Sequence, residues 1–335
     1  MKALSLSLVL LPLPLWAATP EDRIEEVLNQ HILPGFEALA AQTEALKTTA
    51  AETCDPQAPA LRDAWAAAFD AWLGVSHLRF GPTERDERAF ALAYWPDTKG
   101  FTPRTLGSLI DAQDPAAETQ EAFSHVSIAA RGFYAMELLL FDDAFAGEEI
   151  AGYRCTLVQA VARDIDANAD AILADWQGGF ADDLRAPGDG AYRDTNEVMQ
   201  ELYGALTTGL QFTSDTRLGR PLGTFDRPRP TRAEAYRSER SQRHVVLSLT
   251  ALRDLALHLA ADDAEVAEEM AAAFDPAIQR AQELNDPTFA GVADPMARIR
   301  IEGLQTEIDA IRTAVAADLG PALGVTSGFN ALDGD

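Results

Sequence analysis

Few of the groups that carry common catalytic chemistries occur in this chain of 335 residues. Its five histidines are His31, His77, His125, His244 and His258, with no His-Glu-x-x-His pair among them. A zinc-peptidase set of ligands plus general base is therefore not written into it in the usual form. Gly-x-Ser-x-Gly is absent too, which removes the nucleophile elbow. Basic residues are scarce, 27 Lys and Arg against 53 Asp and Glu, for a formal charge of -26. Such a field repels phosphate backbones and anionic headgroups and argues against nucleic acid as a partner. It also concentrates cations, and it serves solubility equally well. Beyond residue 18 no run approaches the 18 apolar residues of a membrane-spanning helix. β-Branched runs are few, whereas alanine and the aliphatics are plentiful, which predicts helices.

Residues 1–18 carry Lys2, an apolar stretch from Ala3 to Trp16 broken by Pro12 and Pro14, and then Ala17-Ala18. That is the pattern of a signal peptide, and it predicts an exported, periplasmic protein. No cysteine follows the apolar stretch, so no lipid anchor is expected there. The chain has only Cys54 and Cys155. In an oxidising compartment they are expected to form one disulfide, since their spacing suits a metal site poorly.

Helices are expected from Thr19, an N-cap before Pro20, to about Thr49, and from about Pro59 to Leu78 with Trp65, Phe69, Trp72 and Val75 at helical steps. Further ones are expected at about 103–112, 116–123 and 148–176, where Asp164, Asp166, Asp170 and Asp175 read as a solvated face. Gly178 to Gly190 is the best domain boundary. It divides the mature chain into 19–180 and 190–335. The second part is expected to hold helices at about 195–212, 231–260, 263–283 and 295–318. The second of these starts at Thr231-Arg232-Ala233-Glu234, which has capping-box spacing.

The most informative stretch is Arg131 to Phe141, almost wholly apolar with Glu137 embedded in it. Ser124 is the N-cap candidate for its helix. A carboxylate in such surroundings must be paired, hydrogen-bonded, metal-bound or protonated. Tyr134 lies one turn before it, on the same face. Other candidates stand elsewhere along the chain. His77 and Arg79 end the second helix, where a capping role competes with a functional one. Tyr94-Trp95-Pro96-Asp97 makes a long connection too aromatic for a plain linker, so Trp95 and Asp97 are site candidates, although Asp97 equally suits a turn. Arg237, Ser238, Ser241 and His244 form a polar stripe that faces either a cleft or solvent. Arg220, Arg227, Arg229 and Arg232 crowd one segment of an acidic protein, to pair with carboxylates or to bind an anionic ligand.

Gly132-Phe133-Tyr134-Ala135-Met136-Glu137 resembles the Gly-x-His-x-x-Glu segment of the imelysin-like, or M75 peptidase, family. His77 to Pro82, Tyr94 to Asp97, Gly219 to Gly223 and Arg232 to Ser238 are similar to further family signatures in the same order, and together these cover most of the mature chain. The resemblance implies an all-α fold of two helical bundles facing each other, with a site between them, and an association with iron uptake. It also carries a peptidase label. Tyr134 in place of the family's histidine weakens any histidine-dependent metal or peptidase chemistry. Three readings follow. The first is a binding protein for iron acquisition, with Glu137, Tyr134, Asp97 and His77 as metal ligands and Arg79, Trp95, Arg237, Ser238, Ser241 and His244 lining the site, working with an iron-uptake partner in the envelope. The second is a metallopeptidase. The third is a metal-independent module for a peptide, an organic ligand or a partner protein.

Overall fold

A computed structural model describes residues 19–325, so the leader expected at 1–18 lies outside the described residues. In the first half the helices are α1 (Pro20–Val27), α2 (Leu33–Glu52), α3 (Pro59–Val75), α4 (Arg88–Leu92), α5 (Phe101–Ala112), α6 (Gln120–Phe123), α7 (Gly132–Phe141) and α8 (Ala151–Asp175). There follow α9 (Ala181–Arg185), α10 (Thr195–Gln211), α11 (Gly219–Leu222), α12 (Ser241–Leu259), α13 (Ala264–Glu283), α14 (Pro295–Ala314) and α15 (Gly320–Leu323). No strand occurs among the described residues, and the all-α expectation holds.

Thr19 caps α1 through a reciprocal pair with Asp22, and Pro20 occupies the first turn, where its missing N–H costs nothing. The chain then runs through a π-helical turn, Leu28–Ile32, straight into α2. α2, α3, α7 and α8 pack on one another, as do α10, α12, α13 and α14. α12 also lies against α3, and α1 lies against α10 and α12 although it begins the chain. The buried apolar residues of all these helices form one continuous cluster. Cys54, just after α2, and Cys155, in α8, are joined in the expected disulfide, with Cα atoms 5.1 Å apart.

Local signals misled in three places. Ser124 ends α6 instead of starting α7; α7 begins at Gly132, whose φ of +75° breaks the chain direction and whose missing Cβ lets it lie against the carbonyls of Ala91 and Leu92. Glu234 does not cap a helix. It is drawn inward by distant partners, residues 233–240 remain turns with positive φ at Ala235 and Glu239, and α12 starts only at Ser241. Finally, Asp164 and Asp166 are not on a solvated face. Asp164 is fully buried and takes both arms of Arg131 at 2.8 Å, and Asp166 takes Lys47 at 2.6 Å.

Candidate binding site

α7 is buried on every side, and Phe69 of α3 stacks on Phe133 at 4.6 Å and meets the edges of Tyr134 and His244. This aromatic packing leaves the two polar side chains of α7 one outlet, towards the turns at 233–240. There Tyr134 donates its hydroxyl to Oε1 of Glu234, and Nε of Arg217 donates to Oε2 at 2.8 Å. Burial alone would raise the Glu234 carboxyl; the charge of Arg217 and the neighbouring donors outweigh it and hold the group at about 2. Burial and the adjacent carboxylate push the Tyr134 phenol well above its ordinary range. The phenol therefore keeps its proton at neutral pH. Burial also depresses His244 against the pull of Glu234, so that ring is neutral. Its Nδ1 lies 3.2 Å from Glu234 Oε2 but off the line of a hydrogen bond.

Glu137, 3% exposed, takes two hydrogen bonds on one oxygen, from the backbone N–H of Ser238 at 3.0 Å and its hydroxyl at 2.8 Å. Burial raises its carboxyl, and those two donors and Arg237 only partly offset the shift. Arg237 itself pairs with Asp142. Asp97 receives the backbone N–H groups of Thr102 at 2.8 Å and Phe101 at 3.0 Å, so it caps α5; burial would raise it, but these bonds bring it below its ordinary value.

Two cavities flank Trp95 and Tyr134, which line both. The smaller, of about 210 Å³, is lined by Glu137, Asp97, Arg220, Arg232, Arg237 and Tyr236 among others. The larger, of about 480 Å³, is bounded by Trp72, Phe90, Phe212, His77, Arg79 and Ser248 and by the Arg217–Glu234 pair. In the smaller cavity Arg237 is neutralised by Asp142, but Arg220 and Arg232 have no carboxylate partner among the described residues, and Nε of Arg220 is buried without an acceptor. Burial, and then the charge of Arg232, pull Arg220 below the ordinary arginine range.

Of the four expected metal ligands, Tyr134, Glu137 and Asp97 line the smaller cavity and His77 lines the larger one. Tyr134 is committed to Glu234, Asp97 to its own loop and Glu137 to Ser238, and His77 faces the larger cavity beside His31. No cluster of three His, Cys, Asp or Glu suited to a metal ion is found among the described residues. Of the expected lining residues, Trp95 lies between the cavities, Arg79 at the larger one paired with Glu84, and Arg237 in the smaller one. Ser238 holds Glu137, whereas Ser241 and His244 are buried in α12 outside both cavities. Sequence reasoning missed Glu234 and Arg217 as a unit. The local reversal of charge around Arg217 was the available signal.

The model of the imelysin family (Peptidase_M75) matches residues 32–315. Among solved structures, an imelysin-like protein from Psychrobacter arcticus 273-4 superposes with a TM-score of 0.77 at 20% identity, over 96% of this chain and all of that one. A protein of Parabacteroides distasonis ATCC 8503, assigned as an iron-regulated protein A precursor, superposes with a TM-score of 0.73 at 13% identity, over 88% of this chain and 94% of that one. Among curated proteins, none matches.

Proposed function

Since this chain belongs to the imelysin family, we propose that it is an exported binding protein linked to iron acquisition, one that receives iron as an anionic complex in the smaller cavity. The observation that carries this reading is the convergence of Arg220 and Arg232 there, neither of them in an ion pair among the described residues. Two unpaired guanidinium groups against aromatic walls suit a small polycarboxylate, which offers bidentate acceptors. Of the carboxylates on the same wall, Asp97 keeps its charge but directs it to the backbone N–H groups at the start of α5, and burial favours the neutral form of Glu137. Iron in such a complex brings its own ligands and needs none from the protein. This matters because a bare ferric ion would have to break Tyr134 away from Glu234. The leader-like residues 1–18 and the disulfide support export, and the iron-regulated assignment of one structural relative supports the link to iron. Proteolysis is disfavoured: the family's histidine position holds Tyr134, a phenol kept protonated by its surroundings.

The test is calorimetric titration with citrate, ferric citrate and ferric ion in a non-coordinating buffer. Wild type is expected to bind ferric citrate, and Arg220→Ala and Arg232→Ala each to bind it at least tenfold more weakly, with Arg312→Ala unchanged. Binding of ferric ion alone, lost in Glu137→Gln and kept in the arginine variants, would instead put iron on the buried carboxylate.

A further inference from the structure

The larger cavity ends at a histidine pair. Nε2 of His77 lies 2.9 Å from Nε2 of His31, and Nδ1 of His31 lies 2.7 Å from Oδ2 of Asp254, whose side chain is 51% exposed. Asp254 Oδ1 also lies 3.5 Å from His258, which reaches Glu26 at 3.1 Å. A line of titratable groups thus runs from solvent to the cavity wall through two buried rings. Three features build it. His31 sits in the π-helical turn Leu28–Ile32, a helix irregularity that recurs at functional sites. Gly209 of α10 leaves room beside the inner ring, since a Cβ there would come within 3.0 Å of His77 Cβ and 2.5 Å of Leu252. And Oγ of Ser248, buried on the same cavity wall, has no hydrogen-bond partner among the described residues.

We propose that this cavity is a second ligand site, for an aromatic weak acid such as a phenol, bound as its anion while the His31–Asp254 pair holds its proton. The walls fix the class of ligand: Trp72, Phe90, Trp95 and Phe212 are aromatic, and about 480 Å³ is the size of a small-molecule pocket. The inner end of the cavity fixes the chemistry. Two Nε2 atoms at hydrogen-bond distance share one proton. With Nδ1–H of His31 donated to Asp254 and Nε2–H of His77 donated to His31, Nδ1 of neutral His77 is an acceptor for a ligand O–H. The ligand O–H bond breaks as that proton joins Nδ1 of His77, and the proton on Nε2 of His77 moves to Nε2 of His31. The products are an aryloxide accepting from His77 and Ser248, and an imidazolium at His31 against the carboxylate of Asp254. Charge is conserved and no other bond changes.

The remaining ionised groups facing His77 and the cavity are already matched. Arg217 pairs with Glu234, and Arg79 with Glu84. The other acid on this wall, Tyr134, keeps its proton. Among the described residues only the histidine pair is free to take up the ligand's proton, and it is backed by Asp254 and, beyond it, His258 and Glu26. The site stands apart from the arginines of the smaller cavity, so it holds or fails independently of the iron reading.

The probe is 4-nitrophenol, whose phenolate is coloured, with 4-nitroanisole as its proton-free counterpart. Wild type is expected to bind the phenol at least tenfold more tightly than the ether, and to show the phenolate band at least one pH unit below the free probe. Asp254→Asn, altered at a half-exposed side chain, is expected to bind 4-nitrophenol but to lose that spectral displacement. His77→Phe is expected to lose the preference for the phenol. Absence of binding to wild type, equal affinity for the two probes, or an undiminished displacement in Asp254→Asn would each overturn the proposal.

Discussion

Glu234 and Glu137 are both 3% exposed, yet their partners send them in opposite directions. Glu234 faces Arg217 and is lowered from the ordinary 4.5 to about 2. Its contribution to folding is therefore complete above pH 4.5 and is lost as the pH falls through 4.5 towards 2. Replacing it by Gln leaves Arg217 buried without its counter-ion, and truncation of a buried pair costs about 3–5 kcal/mol. Urea denaturation of Glu234→Gln at pH 7 should show a loss of that order. A loss below about 1 kcal/mol would mean that water or another acceptor replaces the carboxylate. Glu137 has no cation in hydrogen-bond contact, and burial raises it. Its sign is reversed: the wild type loses stability as the pH rises from 4.5 through the raised value. Glu137→Gln retains an acceptor for Ser238, so its stability relative to wild type should improve between pH 4 and pH 8. A relative stability that declined over that interval would show that the carboxylate is held ionised.

At the level of elements, the periodic helices were legible and the irregular ones were not. Trp65, Phe69, Trp72 and Val75 announce α3 because every third or fourth residue must reach one core. The π-helical turn bearing His31 has no such signature, because its register change is set by what His31 meets across the molecule, Asp254 and His77. Glu234 shows the same limit. Its spacing from Thr231 satisfies a local rule, but the desolvated Arg217 is the stronger partner and pulls it out of helix. The start of α7 depends on a close approach as well. A Cβ on Gly132 would lie 2.2 Å from the carbonyl oxygen of Leu92, at a φ of +75°. Gly132→Ala therefore combines left-handed strain with a backbone clash and should cost about 3 kcal/mol. Thermal unfolding measures this directly, and an unchanged midpoint would mean that α4 can retreat from α7 freely.

For the molecule as a whole, the order of the chain and the order of packing differ at one place that matters. A cut near 180–190 assigns α1 to the first half, but α1 packs on α10 and α12 while α2, its continuation, packs on α3 and α8. The rod from Pro20 to Glu52 thus belongs to both groups of helices, and the two cavities sit where α3, α7, α10, α12 and the turns around Trp95 and Glu234 meet. The disulfide fastens the far end of that rod, since Cys54 follows α2 directly and Cys155 lies in α8, 101 residues later. Loop-closure entropy for a loop near that length corresponds to about 4.7 kcal/mol in the chain-entropy model, and measured effects are about 2–4 kcal/mol. The double variant Cys54→Ala, Cys155→Ala should therefore unfold at lower denaturant by an amount within that range. Neither cysteine lines either of these two cavities, so binding of ferric citrate and of 4-nitrophenol by the folded variant should match wild type. Weakened binding with undiminished stability would show that the bridge orients the two groups of helices about their cavities, beyond restricting the unfolded chain.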